Sequence, residues 1–312
     1  MLHIRRQTRL LGRVHGGCPM RISAFLAWSF LLLSSFLWPL RAQAAEGYDN
    51  CTGFIDSLPA TIHQEGVWCL RKDLGTAITI GQAIYVGGNN ITIDCNGYKL
   101  GGLGAGAATQ ATGIFSYTVA NLSIRRCNIR GFMTGMLVSG QNMGSHVIED
   151  NRLEKNTRYG IIVMGGKGAM IRRNIILDTG GSTWSRGDAC AIDAGSGVNV
   201  VDNTISGVAA IADDNGNASA YGIFTSYNAD GVVQRNRIRG LVPRGEGASF
   251  GIISNLSNPT SLRDNDLSGM GIPNSFGFYC SNSPAIAVGN VISGFSTPIF
   301  GCSATGNTVN TN

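Results

Sequence analysis

Trp184, Arg186, Asp188 and Asp193 crowd one stretch of the chain, Asp213, Asp214, Asn215 and Asn217 follow, and Arg244 and Glu246 come next. An aromatic ring can stack on a sugar, amides and guanidinium groups can bond its hydroxyls, and a carboxylate pair can supply acid and base for glycosidic cleavage. We therefore expect Asp193, Asp213, Asp214, Asp188, Arg186 and Arg244 as catalytic candidates, with Trp184, Glu246, Asn215 and Asn217 as substrate-binding ones. The same residue types also occur as ordinary solvated loop residues, so the types alone leave binding and cleavage open. The run Asp213-Asp214-Asn215-Gly216-Asn217 offers oxygens that could hold Ca²⁺. It lacks the spacing and distal Glu of a Ca²⁺ loop, so a turn is the simpler reading, and no cofactor is otherwise implied. Beyond residue 44 the histidines are His63 and His146, each read as structural. No Ser-His-Asp set, thiolate cluster, phosphate loop or nucleotide fingerprint accompanies them.

What must position these residues is a repeat. Ile171-Arg172-Arg173-Asn174-Ile175-Ile176 is an apolar residue, two outward polar residues, Asn, any residue and another apolar residue. The skeleton returns around Asn151, Asn203, Asn236 and Asn265, more weakly at Asn96, Asn290 and Asn307, and once with Cys127 in place of Asn. Anchors lie between 17 residues (Asn290 to Asn307) and 33 residues (Asn203 to Asn236) apart, so turns vary in length while strands do not. Each coil opens with Gly and an apolar residue, as at Gly113-Ile114, Gly160-Ile161 and Gly222-Ile223, with Ala191-Ile192 in their place once. Short alternating strands with no helical period predict a parallel β-helix of about nine coils. Stacked Asn side chains should then bond from coil to coil. The residues before them, Arg126, Asp150, Arg173, Asp202, Arg235 and Asp264, alternate in sign, which predicts ion pairs between neighbouring coils. That reading removes most of the arginines from chemistry.

The ends of the chain read differently. Residues 1–44 combine Arg21, an apolar run from Ala24 to Leu40 and Ala42-Gln43-Ala44, the pattern of a secretory signal, with Met20 as an alternative start. The protein is therefore expected outside the cytoplasm: secreted, periplasmic or on the cell surface. All nineteen acidic residues follow Ala44, whereas Arg5, Arg6, Arg9, Arg13, Arg21 and Arg41 precede it. The remainder carries a net charge of about minus one, which suggests no nucleic-acid partner, and no membrane span is expected after the leader. Residues 45–75 do not repeat and read as an N-terminal cap with a short helix near Phe54 to Leu58, and repeats occupy residues 76–312. In an oxidising compartment Cys51 is expected to pair with Cys69, Cys95 with Cys127 and Cys280 with Cys302. Cys190 is left over, with no His nearby in sequence, and reads as a small buried side chain at the start of a strand.

With these repeats the chain resembles the right-handed parallel β-helix proteins of the pectate-lyase-like (pectin lyase) group, an all-β, single-domain solenoid. The resemblance implies a cleft along the first strand face, walled by the loops Asp178 to Ala189, Val208 to Ala220, Leu241 to Ser249 and Met270 to Ser275. It also implies a polysaccharide partner, with lyase or glycoside hydrolase activity if the protein is an enzyme. The Gly-His-Gly segment of paired-Asp hydrolases and the Asp-Pro-His of uronate epimerases are both missing. A lyase using Arg as base with Ca²⁺ would need neither. Alternation predicts that the outer residues of the first strand face are Phe115, Leu137, Ile162, Asp193, Phe224, Ile253 and Tyr279. Only Asp193 among them is acidic, so this stripe could instead lie beneath loops or meet an apolar ligand or a protein partner. The alternative to a glycan-active protein is thus a noncatalytic scaffold or surface-associated binding protein.

Overall fold

Three apolar residues per coil set the architecture. In a computed structural model, which describes residues 48–139, 144–225, 230–255 and 260–310, the strands stack into three parallel sheets of eleven, ten and ten strands. The chain visits the sheets in turn, so each strand pairs with its equivalents one coil below and above. The result is a right-handed parallel β-helix. Among the described residues the helical content is one short 3₁₀ turn, Leu103–Ala105.

Register follows the inward apolar residues. In the first sheet Ile114, Met136, Ile161, Ile192, Ile223, Ile252 and Phe278 stack in one column. In the second Ile124, Ile148, Ile171, Val200, Val233 and Leu262 do so, and in the third Ile129, Leu153, Ile176, Ile205, Ile238 and Leu267. All of these are buried. Each fully buried side chain of this size stabilises the fold by roughly 1.5 to 3 kcal/mol, and a one-residue slip would expose a whole strand's set.

The Asn ladder forms at the turn between the second and third sheets. Nδ2 of Asn151 donates to Oδ1 of Asn174 at 3.0 Å, and the chain of bonds continues through Asn203, Asn236, Asn265 and Asn290 to Asn307. Each amide also bonds a main-chain carbonyl of the preceding coil, as Asn203 does with Ile171 at 3.0 Å. Asn96 does not belong to the ladder. Counted from the Ile93–Ile124 pair it lies opposite Cys127, but its turn to Lys99 is longer and its Nδ2 donates to Leu70 O at 3.2 Å; its backbone is left-handed like that of the residue before each ladder position, Arg126, Asp150, Arg173, Asp202, Arg235 and Asp264, all with φ of 49° to 60°. This left-handed turn explains why Gly289 and Gly306 take the position in the last coils.

The alternating charges do pair, but directly to one side only. Arg173 reaches back to Asp150 at 2.8 Å and Arg235 to Asp202 at 2.7 Å, while Arg125 and Arg126 both engage the buried Asp94. The three expected disulfides, Cys51–Cys69, Cys95–Cys127 and Cys280–Cys302, are present.

One expectation needs correcting. No helix forms near Phe54 to Leu58: Gly53–Phe54, Ala60–Ile62, Gly66–Cys69 and Leu74–Gly75 are strands that join the same three sheets. Their backbone groups find ladder partners in the coil above, which a lone short helix would not supply. Residues 1–44, with the leader, its alternative start at Met20 and the cleavage motif, lie outside the described residues.

Candidate functional site

The first-sheet strand Ala189–Ala194 carries the site. Glycine at the second position of the neighbouring strands determines what faces out. A Cβ on Gly160 would sit 2.4 Å from Ala191 O and 2.9 Å from Ile176 Cγ2, and one on Gly222 2.6 Å from Ile238 Cγ2. These positions therefore face the core, as does the apolar residue after each. Two successive inward positions put the residue before the glycine on the outer face, alongside the residue three further on. Ring contacts bear this out: Tyr221 meets Phe224 at 5.9 Å and Phe250 meets Tyr279 at 5.4 Å.

The outer face thus has two columns. One is the expected stripe, with Phe115, Leu137, Ile162, Asp193, Phe224, Ile253 and Tyr279 in register. The other, which strict alternation misses, runs Tyr159, Cys190, Tyr221, Phe250 and Phe276. Its signal in the sequence is the aromatic residue directly before Gly160, Gly222, Gly251 and Gly277.

At the level of Ala189–Ala194 both columns lose their bulk, and a cleft of about 180 Å³ opens, lined by Arg158, Tyr159, Asp188, Cys190, Asp193, Tyr221 and Phe224. Asp188 Oδ1 accepts the Ser219 N–H at 2.7 Å, and the Tyr221 hydroxyl lies 3.4 Å from its Oδ2. Arg158 lies 5.2 Å from the Tyr159 ring centroid, is anchored to the Ser185 hydroxyl, and has a buried Nε with no hydrogen-bond partner. Burial pushes the Tyr221 phenol up to about 12, with the Asp188 charge adding to it. Tyr159 is raised for the same primary reason. Cys190 is a free, buried cysteine whose thiol is pushed well up by burial and then by the Asp193 charge, and it donates to Ile192 O at 3.2 Å. A thiol so placed is a poor nucleophile.

Of the ten loop and strand residues singled out by type, the cleft gathers two, Asp188 and Asp193. Trp184 and Arg186 are exposed on the loop beside it and do not line it. Asp213, Asp214, Asn215 and Asn217 form a turn in which Asp213 Oδ1 accepts the N–H groups of Asn215 and Asn217, both at 2.9 Å. Those backbone bonds, that from Asn217 foremost, hold the Asp213 carboxyl below its ordinary range. Arg244 and Glu246 belong to the same brace: Arg244 bridges Ala218 in antiparallel fashion, and Glu246 N–H donates to Asn217 Oδ1 at 2.7 Å. Among the described residues no group of three or more His, Cys, Asp or Glu side chains converges as metal ligands. His146 is buried and takes the Leu122 N–H at Nδ1, a packing role. No helix of the described residues is long and apolar enough to cross a membrane.

A family model described as right handed beta helix region matches residues 77–219 and 112–312. The chain belongs to that right-handed β-helix family. Similar solved structures include a mutant tailspike protein of E. coli bacteriophage HK620 in complex with a pentasaccharide. It shares 14% identity over 82% of this chain and 54% of that one, with a TM-score of 0.42. A second tailspike mutant, in complex with a hexasaccharide, shares 12% identity over 82% and 53% of the two chains, with a TM-score of 0.36. The chain thus spans about half the length of the tailspike chains it matches. No curated protein sequence matches it.

Proposed function

We propose that this is an exported protein that binds polysaccharide along the outer face of its first sheet. The observation that carries the reading is the aromatic column, with Tyr221 stacked on Phe250 and Phe250 on Phe276, each at 5.2 Å, beside a cleft holding two carboxylates and an arginine. The rings cover one another's faces along the stack, so what they offer a sugar is a half-buried apolar surface of ring edges on a rigid sheet, and carboxylates suit its hydroxyls. Three disulfides between successive coils support an oxidising compartment. If the bound chain is cleaved, Asp188 and Asp193 are the acid and base candidates, since they alone among the acids named above line the cleft.

A glycan array followed by calorimetry on the hits tests this. Phe250→Ala should weaken the tightest hit about tenfold, the equivalent of one lost ring stack, with an unchanged circular dichroism spectrum. A blank array with the unaltered protein sinks the reading. New reducing ends or unsaturated products that vanish in Asp193→Asn would add cleavage to binding.

A further inference from the structure

In the outer column, where Thr112 and Thr134 precede Tyr159, the rings are interrupted once between Tyr159 and Phe276, at Cys190. Tyr159, Cys190, Tyr221, Phe250 and Phe276 follow one another in register, and beyond the break the rings lie face to face, 7° apart for Tyr221 with Phe250 and 11° for Phe250 with Phe276. Strands in such a sheet are about 4.8 Å apart, so each level has room for one ring. Cys190 supplies none, and the cleft lies at this level between Tyr159 and Tyr221, with the Arg158 guanidinium against the Tyr159 ring. The second column breaks at the same level, where Asp193 stands between Ile162 and Phe224. The cleft of about 180 Å³ is what these two breaks leave. It is smaller than the roughly 300 to 1,000 Å³ of sites for drug-sized molecules, and on the scale of one ring.

Its polar groups restrict what the ring can carry. Asp188 and Asp193 line it against the single cation of Arg158. Carboxylate oxygens accept hydrogen bonds and repel a third carboxylate, so a uronate is disfavoured and a ring rich in hydroxyl or amino donors is favoured.

We propose that the break is a slot for one sugar residue: a pyranose with hydroxyl or amino substituents, and not a uronate, enters between Tyr159 and Tyr221 and completes the column at Cys190. This deepens the polysaccharide reading and rests on it. The test fills the slot from within. Cys190→Phe would supply the missing ring, as Tyr159 and Tyr221 do on either side, Cys190→Leu would plug the space with a smaller group, and Cys190→Ala would leave it open. Binding of oligosaccharides of glucosamine, of glucose and of galacturonate is measured by calorimetry, with thermal unfolding as the control for folding.

The unaltered protein and Cys190→Ala should bind the glucosamine or glucose series at least tenfold more tightly than the galacturonate series. Cys190→Phe and Cys190→Leu should lose at least tenfold, with no fall in the unfolding midpoint for whichever of them folds. Filled variants that bind as well as the unaltered protein overturn the slot while leaving the aromatic-face reading intact, since an added ring would only extend that face. Preference for galacturonate overturns it as well. Absence of binding in all three series overturns the slot, and Phe250-dependent binding of some other glycan then shows whether the broader reading survives.

Discussion

Asp94 is the one buried carboxylate among the described residues. Its side chain is 2% exposed, and it holds Arg125 at 2.8 Å together with Arg126. Burial alone would push its pKa up, but hydrogen bonds from Arg126 and the Asn96 N–H, with the charges of both arginines, hold it below the ordinary value. A depressed carboxylate contributes stability that is complete above its unfolded pKa of about 4 and is lost as pH falls through the lower folded value. Asp94→Asn should therefore cost about 2 kcal/mol at pH 7, the scale of a lost charged hydrogen bond. Unfolding curves of the two proteins should converge as pH drops below about 4. A gap that persists at pH 2 would show that the carboxylate's charge is not what matters.

At the scale of elements, the turn between the second and third sheets depends on its amide ladder. Asn203 donates to Asn236 and to the carbonyls of Ile171 and Val201, and accepts from the side chain and backbone of Asn174. Asn203→Ala would orphan several buried groups at once, and we expect a loss of about 2 to 4 kcal/mol, since each costs about 1 to 3. Denaturant titration would measure it, and a loss below 0.5 would mean that water replaces the amide. The repeat made this role legible, because a polar residue that returns at every coil next to inward apolar ones must have a partner that also returns. Asn96 stays out of the ladder because its counterpart in the next coil, Cys127, has no amide, and a longer turn sets Asn96 itself in the left-handed region.

Across the whole molecule, each coil rests on two neighbours except at the ends, where there is one. The last strands, Ser303–Thr305 and Thr308–Asn310, are exposed throughout. They are held by ladder bonds and by Cys280–Cys302, which closes 22 residues and is worth about 2 to 4 kcal/mol. Replacing both cysteines with Ser should speed amide exchange in residues 297–310 while leaving the strands from Thr134 to Val242 protected. Uniform acceleration along the chain would show instead that the solenoid opens as one unit.

The coil was legible from periodicity alone. Apolar residues at fixed positions, the Asn column and the paired cysteines leave one way to bury and bond everything, so sheets, core columns and disulfides could be read from periodicity. The site was only half legible. Asp188 and Asp193 stood out by type, but so did Asp213 and Arg244, which the structure uses in a turn and a bridge. Tyr159, Tyr221, Phe250 and Phe276 were missed, because alternation assigns them inward and a close backbone contact at each following glycine reverses that. A repeat specifies what every coil shares. The cleft arises where one coil departs from its neighbours in two columns at once, and tertiary stacking alone brings those two departures, at Cys190 and Asp193, together between Tyr159 and Tyr221.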